Sequence, residues 1–267
     1  MAAQVVPQGP PALTLVDGHG TIWPVEAPIP PEYHTYLGIF SQRIDLGNKE
    51  KYPPVRFCSG IGATDMREAT RTLILPNGLS VLESGLYCYD VATGIRINHP
   101  LLTKEAENAF REIRLSRIPE IVHRLPVFEA YLRKEVHIAL DRLNEHVNPA
   151  DYVDLVAEML IEFARFVDVV SSGHAIDILV KGVNKGSGIL EMCKMTGISP
   201  EEILVIGDSP NDFSAMKITG WAGCPANASE GCKDLIRSLG KRGWVSEFPY
   251  VQGVIDIMDH FIPKPAD

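Results

Sequence analysis

Ile203-Leu204-Val205-Ile206 is an unbroken apolar run that stops at Gly207-Asp208, and it constrains the chain more than any other feature. A strand that is apolar at every position has no face to give to water. It belongs in a parallel sheet with helices packed on both sides. Ala12-Leu13-Thr14-Leu15-Val16 ends in the same way at Asp17-Gly18-His19-Gly20-Thr21, and Val55-Arg56-Phe57-Cys58 ends at Ser59-Gly60. Runs near opposite ends of the chain thus ask for one shared sheet. In open α/β sheets, ligands bind in the crevice beyond the carboxyl ends of the strands. Here those ends carry Asp17, Ser59, Asp208 and Asp212.

The stretches between these strands alternate with them at first. A proline-rich stretch from Pro24 to Pro31 precedes a predicted helix over Glu32 to Ile44, with Tyr36, Leu37, Ile39, Phe40 and Ile44 facing inward. A helix carrying Met66, Ala69 and Leu73 is expected after Gly60. Beyond Pro76-Asn77-Gly78 the patterning turns mixed and strand-rich. Strands are expected at Val81–Glu83 and Leu86–Tyr89, with a turn at Ala92-Thr93-Gly94. A helix over Lys104 to Ile121 and a strand over Val136 to Leu140 follow. Asn148-Pro149 opens a helix running to about Arg165, with proline at its first position. Val167–Val170 and Ala175–Val180 read as an antiparallel pair around Ser172-Gly173. A helix over Lys185 to Met195, ended by Gly197, restores the alternation. The simplest organisation is a doubly wound, Rossmann-like α/β core built from residues 1–83 and 182–267, with an inserted α+β domain at 84–181.

At 267 residues the chain has room for a core plus an insert of this size. Its formal net charge of -9 argues against a nucleic-acid partner, because phosphate backbones reward clustered Lys and Arg. Cys58, Cys88, Cys193, Cys224 and Cys232 are scattered without a C-x-x-C pair, which implies reduced thiols. Met1 to Pro11 has no basic region followed by an apolar run and so reads as no signal peptide. No apolar stretch has the length a bilayer requires, so the expectation is a cytoplasmic protein without a membrane partner.

An acidic pocket with hydroxyl and backbone donors suits a hard divalent cation together with a phosphate. Magnesium takes a few carboxylates and fills its other positions with water and phosphate oxygens. A carboxylate attacking phosphorus needs such a cation to offset the repulsion between two anions, and gains from a lysine on the equatorial oxygens. The order of these residues resembles the haloacid dehalogenase superfamily, whose motifs are spread over the whole core. Leu15-Val16-Asp17-Gly18-His19-Gly20-Thr21 matches the family's strand followed by Asp-x-Asp-Gly-Thr at all but one position. Phe57-Cys58-Ser59-Gly60 fits the second motif, Gly182-Val183-Asn184-Lys185-Gly186 the third, and Gly207 to Asp212 match Gly-Asp-x-x-Asn-Asp at every specified position.

The resemblance implies a role for each residue. Asp17 would be nucleophile and metal ligand, with Asp208, Asp212 and the backbone carbonyl of His19 completing a magnesium site. Ser59, Gly60, Lys185 and Asn211 would hold the phosphoryl group, and Gly20 and Gly207 would let the backbone approach closely. The insert's position, together with Ala226-Asn227-Ala228, resembles the sugar-phosphatase and phosphoglycolate-phosphatase branch, whose large caps close over the site. The expected activity is hydrolysis of a small phosphorylated metabolite through an aspartyl-phosphate on Asp17.

One position departs from the pattern. The family's acid/base aspartate is here His19, whose imidazole can exchange a proton near neutrality. A phosphomutase, or a weakened protein that binds without efficient hydrolysis, are the competing readings of that change. Lys185 is a surface residue unless its neighbours claim it, since a helix start disfavours cations. His137 and His174 read as structural or solvent-facing, Cys58 as core packing, and Trp23 as core or insert interface.

Overall fold

A computed structural model describes residues 9–25, 29–131 and 133–263. Residues 1–8 of the Met1–Pro11 stretch and residues 26–28 of the proline-rich stretch lie outside them.

In chain order, β1 (Leu13–Val16), α1 (Tyr33–Asn48), β2 (Val55–Phe57) and α2 (Ala63–Ala69) lead to β3 (Leu79–Leu82), β4 (Tyr87–Asp90) and β5 (Arg96–Asn98). A second group holds α3 (Lys104–Glu112), α4 (Ile118–Arg124), β6 (Phe128–Tyr131), β7 (Ile138–Arg142), α5 (Val153–Met159), β8 (Val167–Ser171) and β9 (Ala175–Val180). The chain then returns through α6 (Lys185–Thr196), β10 (Ile203–Ile206), α7 (Phe213–Ile218), β11 (Trp221–Cys224), α8 (Glu230–Ser238), β12 (Gly243–Val245) and α9 (Tyr250–Phe261).

The parallel sheet has the order β12-β11-β10-β1-β2, so strands from the two ends of the chain lie side by side at its centre. The chain leaves β1 in one direction and returns beside it to continue in the other. The crevice of such a sheet opens at this reversal, where β1 delivers Asp17 and β10 delivers Asp208. Side chains alternate between the two faces, as strand geometry requires. Leu204 and Ile206 join a cluster with Phe40 and Ile44 of α1 and Val254 and Ile257 of α9. Ile203 and Val205 join Ile189 and Met192 of α6 and Cys232 and Ile236 of α8 on the opposite face. All four residues of β10 are buried, at about 1.5–3 kcal/mol for each fully buried aliphatic side chain, which anchors both layers to one strand.

The antiparallel sheet β3-β4-β5 lies beyond β2, joined to it by a parallel bridge between Cys58 and Val81. A second antiparallel sheet, β6-β7-β9-β8, carries α3 to α5.

Several elements differ from their predicted form. The helix expected over Lys104–Ile121 continues to Arg124 but widens to a π-turn at Ile113–Arg117. Such a turn shifts the helical face, and Leu115 inside it is turned out to solvent. The helix expected from Pro149 to Arg165 breaks into a 3-10 turn, α5 and another 3-10 turn, so its start stands but its continuity does not. The strand expected over Val136–Leu140 begins at Ile138, because the backbone N–H groups of residues 135–137 are bound elsewhere. All five cysteines are buried and free. Among the described residues, no helix is long and apolar enough to cross a membrane.

Candidate active site

The loop after β10 folds on itself before it does anything else. Asp212 Oδ2 accepts the backbone N–H groups of Asp208 (3.1 Å) and Ser209 (3.2 Å), closing a capping turn ahead of α7. The turn is so tight that a Cβ on Gly207 would come within 2.3 Å of the Asp212 carboxyl group, which explains the glycine. The other carboxylate oxygen, Oδ1, is left for a cation.

That cation is Lys185. Asn184 and Ser187 form a capping box at the start of α6, with Asn184 Oδ1 accepting the Ser187 N–H at 3.0 Å. The box fixes the first helical turn and points Lys185 into the core. Its ammonium donates to Asp212 Oδ1 at 2.6 Å and to Asn211 Oδ1 at 3.3 Å, and pairs with Asp17 Oδ2 at 2.9 Å. Each of its N–H donors thus has an acceptor. Burial alone would lower the lysine pKa, but Asp17 and Asp212 outweigh it and hold the ammonium well above its ordinary value. The surface-lysine reading is therefore wrong here: Lys185 is 1% exposed.

Asp17 follows β1, and its Oδ1 accepts the Gly18 N–H at 2.7 Å. Asp17, Asp208 and Asp212 can each present an oxygen within 4.8 Å of the others. Crowding carboxylates in this way is unfavourable without a cation. Burial first, and then repulsion from Asp17, push both Asp208 and Asp212 above the usual carboxylate range. Lys185 offsets part of this charge at the Asp17 and Asp212 end, while the Asp208 carboxylate accepts the neutral Thr21 hydroxyl at 2.6 Å. The donor set, all oxygen and short of positive charge, fits a hard divalent cation.

The loop after β1 is clamped from the far end of the core. Asn227 Nδ2 donates to the Gly20 carbonyl at 2.7 Å, while its Oδ1 accepts the Tyr250 N–H at 2.7 Å. Gly20 has φ +80°, and a Cβ there would meet the Asp208 carboxylate at 2.5 Å. Between these fixed points His19 is exposed, its ring 5.9 Å from that of Trp23 in an edge-on contact. Trp23 in turn stacks on Phe57, so it packs against the core and supports His19 at once. Ser59 follows β2 and is buried, its N–H donating to the Val81 carbonyl at 2.9 Å.

These groups line one side of a cavity of about 290 Å³. Asp17, His19, Ser59, Gly60, Asp208 and Asn211 all reach it, whereas Lys185 and Asp212 lie behind Asp17 as its support. The opposite wall is the β6-β7-β9-β8 sheet, which contributes Lys134, Asp141, Ser172, His174 and Asp177. Among these, sequence reasoning weighed only His174 as a candidate, and read it as structural or solvent-facing. Lys134 Nζ donates to Asp177 Oδ1 at 2.6 Å, with both side chains nearly buried. Burial would raise the Asp177 pKa, but Lys134 outweighs it and holds the carboxyl below its ordinary range. A signal for this wall was present. An aspartate inside Ala175-Ile176-Asp177-Ile178 has no place in a sealed apolar strand unless that face lines a cavity. His137, by contrast, is fully buried and accepts the Val180 N–H on Nε2, a structural role as expected.

The loop that carries Lys134 is held by Glu83. Its carboxylate accepts the backbone N–H groups of Glu135, Val136 and His137, and Arg114 binds the carbonyls of Lys134, Val136 and His137. Glu83 therefore joins the strand after the second motif to the far wall of the cavity.

Comparison with known proteins agrees with this geometry. The haloacid dehalogenase-like hydrolase family matches residues 126–239. A protein named phosphoglycolate phosphatase from Methanopyrus kandleri is 29% identical over 173 residues, covering 60% of this chain and 73% of that protein. One of the same name from Methanoculleus marisnigri is 32% identical over 97 residues, covering 36% of this chain and only 39% of that protein. The fold matches the sucrose-phosphatase of Synechocystis sp. PCC6803, solved with sucrose and phosphate, at TM-score 0.68 and 18% identity, over 95% of this chain and all of that one. It also matches a haloacid dehalogenase-like hydrolase from Bacteroides thetaiotaomicron at TM-score 0.63 and 14% identity, over 92% and 98% of the two chains. Motifs, sheet order and the family match over residues 126–239 agree: the chain is similar to haloacid dehalogenase-like hydrolases in sequence over that stretch and in fold over most of its length.

Proposed function

We propose that this enzyme is a magnesium-dependent phosphatase acting on a small phosphorylated metabolite through an aspartyl-phosphate on Asp17. The observation that carries the reading is the buried triad Asp17–Lys185–Asp212 at the reversal of a parallel sheet, with Asp17 opening on a cavity of about 290 Å³. Asp17, Asp208, Asp212 and the His19 backbone carbonyl would hold the magnesium, which would supply Lewis-acid charge on the phosphoryl oxygens.

This chain's own residues account for the rest. One Asp17 carboxylate oxygen attacks phosphorus while the ester oxygen departs and takes a proton, from His19 in this reading. Water then attacks the phosphorus of the acyl-phosphate, gives its proton to His19, and phosphate leaves with Asp17 regenerated. Lys185 stays charged throughout because two carboxylates hold it, and it steadies Asp17 from behind while Ser59, Gly60 and Asn211 steady the phosphoryl group. We propose residues 1–83 and 182–267 as core and 84–181 as an inserted cap. The pairing of β3 with β4 and β5 draws that hairpin to the core side, so the moving part begins nearer Lys104.

The test is magnesium-dependent phosphate release from a panel of phosphomonoesters. Asp17→Asn should lower turnover by at least about 1000-fold, and comparable release by that variant would sink the proposal. His19→Asp should retain or raise turnover. A folded His19→Asp protein without turnover would count against aligning His19 with the family's acid/base aspartate, and an unchanged alkaline limb in His19→Ala would remove His19 from the proton role.

A further inference from the structure

We infer, building on the phosphatase reading, that the group esterified to the phosphate is a neutral polyhydroxylated molecule, a sugar or polyol, and not a small carboxylate. The cavity wall opposite Asp17 carries two carboxylates, Asp141 and Asp177, against one ammonium, Lys134. No arginine is among the described residues lining the cavity, and its other cationic candidates are the imidazoles of His19 and His174.

Lys134 is not available to an incoming carboxylate. It is bound to Asp177 at 2.6 Å with side-chain exposures of 9% and 8%, and its loop is fixed by Glu83 and Arg114. Drawing the ammonium toward a substrate anion would leave Asp177 charged, buried and unpaired, an arrangement proteins avoid. The anion would also face Asp141. This carboxylate is half-buried at the cavity and accepts no hydrogen bond from a described residue.

An acceptor without a donor, beside a pinned Lys134–Asp177 pair, is the complement of a hydroxyl-bearing ligand. Hydroxyls donate to Asp141 and Asp177 and accept from Lys134 without adding charge. A cavity of about 290 Å³ has room for a phosphoryl group and a small sugar. The cross-strand register puts Asp177 opposite Ala139, and Asp141 opposite Ala175. Each acceptor thus sits beside a small residue that leaves space for a ring.

The experiment compares kcat/KM for glucose 6-phosphate, glycerol 3-phosphate, 2-phosphoglycolate, phosphoethanolamine and p-nitrophenyl phosphate, with magnesium present. The better of the two hydroxylated esters should exceed 2-phosphoglycolate by at least about tenfold, and Asp141→Asn should shrink that ratio at least about fivefold. A 2-phosphoglycolate rate equal or superior to the hydroxylated esters overturns the inference. So does a preference for phosphoethanolamine, or a ratio that Asp141→Asn leaves unmoved. If no ester is turned over, p-nitrophenyl phosphate included, it is the phosphatase reading that fails. The inference is then decided by calorimetric binding of the same esters to Asp17→Asn protein, where 2-phosphoglycolate binding as tightly as the hydroxylated esters overturns it.

Discussion

The two walls of the cavity are built on opposite electrostatic principles. On the parallel-sheet side, Asp17, Asp208 and Asp212 crowd together with one lysine between two of them, and the carboxylates remain short of positive charge. On the antiparallel side, Lys134 and Asp177 satisfy each other and leave Asp141 as a free acceptor. The first arrangement gains by binding a cation. The second gains by binding hydroxyls. In the function proposed above, one sheet would hold the reacting phosphate and the other would sort what is attached to it, with Glu83 joining the two.

Removing the lysine from the first wall breaks the comparison most severely. Lys185→Met leaves Asp17 and Asp212 buried without their partner, and should cost about 3–5 kcal/mol of stability. Urea denaturation would show it. Added magnesium should restore part of the loss, because a cation again offsets the carboxylates. A variant as stable as the parent would mean the triad is screened by water.

The link between the walls comes next. Glu83→Ala strips three backbone N–H groups of their acceptor and should cost about 2–3 kcal/mol, since buried donors left unpaired carry the full desolvation penalty. In steady-state kinetics it should raise KM more than it lowers kcat, because the loop carrying Lys134 loosens while the Asp17 wall stays. An equal fall in kcat with KM unchanged would contradict that division.

The smallest effect is a difference in pH response. Burial first, and then Lys134, push the His137 pKa down to about 3, so the folded protein keeps this histidine neutral. The unfolded chain takes up the proton first as pH falls, so stability should drop by up to about 1.4 kcal/mol per pH unit below about 6.5. His137→Gln should flatten that slope in denaturation curves between pH 7 and 5, and an unchanged slope would place its origin elsewhere. Asp208 and Asp212 act in the opposite sense. Their raised pKa values mean that the metal-free folded state binds protons more readily than the unfolded chain, so acid relieves that wall.

The parallel-sheet wall was legible in the sequence because each of its residues is tied to a local pattern. Asp17, Ser59 and Asp208 follow apolar runs, and Asp212 and Lys185 sit in turns whose capping residues lie within four positions. The short strands Trp221–Cys224 and Gly243–Val245 at one end of the sheet were not legible. Four and three residues are too few to show a period, and their strand identity comes from pairing with β10 and each other. The break of the helix after Pro149 and the π-turn at Ile113–Arg117 were hidden for a related reason. Both depend on what the helix packs against.

By itself the sequence determined that two distant apolar strands must share a sheet and must end in carboxylates at its crevice, because burial and chain reversal are local demands. Tertiary structure alone decided that Lys134, Asp141 and Asp177 face Asp17 across a cavity, and that Glu83 reaches across 52 to 54 positions of sequence to fix the loop between them. Hydrophobic patterning reports which face of an element is buried. Which charges then meet across the space between two sheets depends on how the sheets pack, and no spacing rule along the chain encodes it.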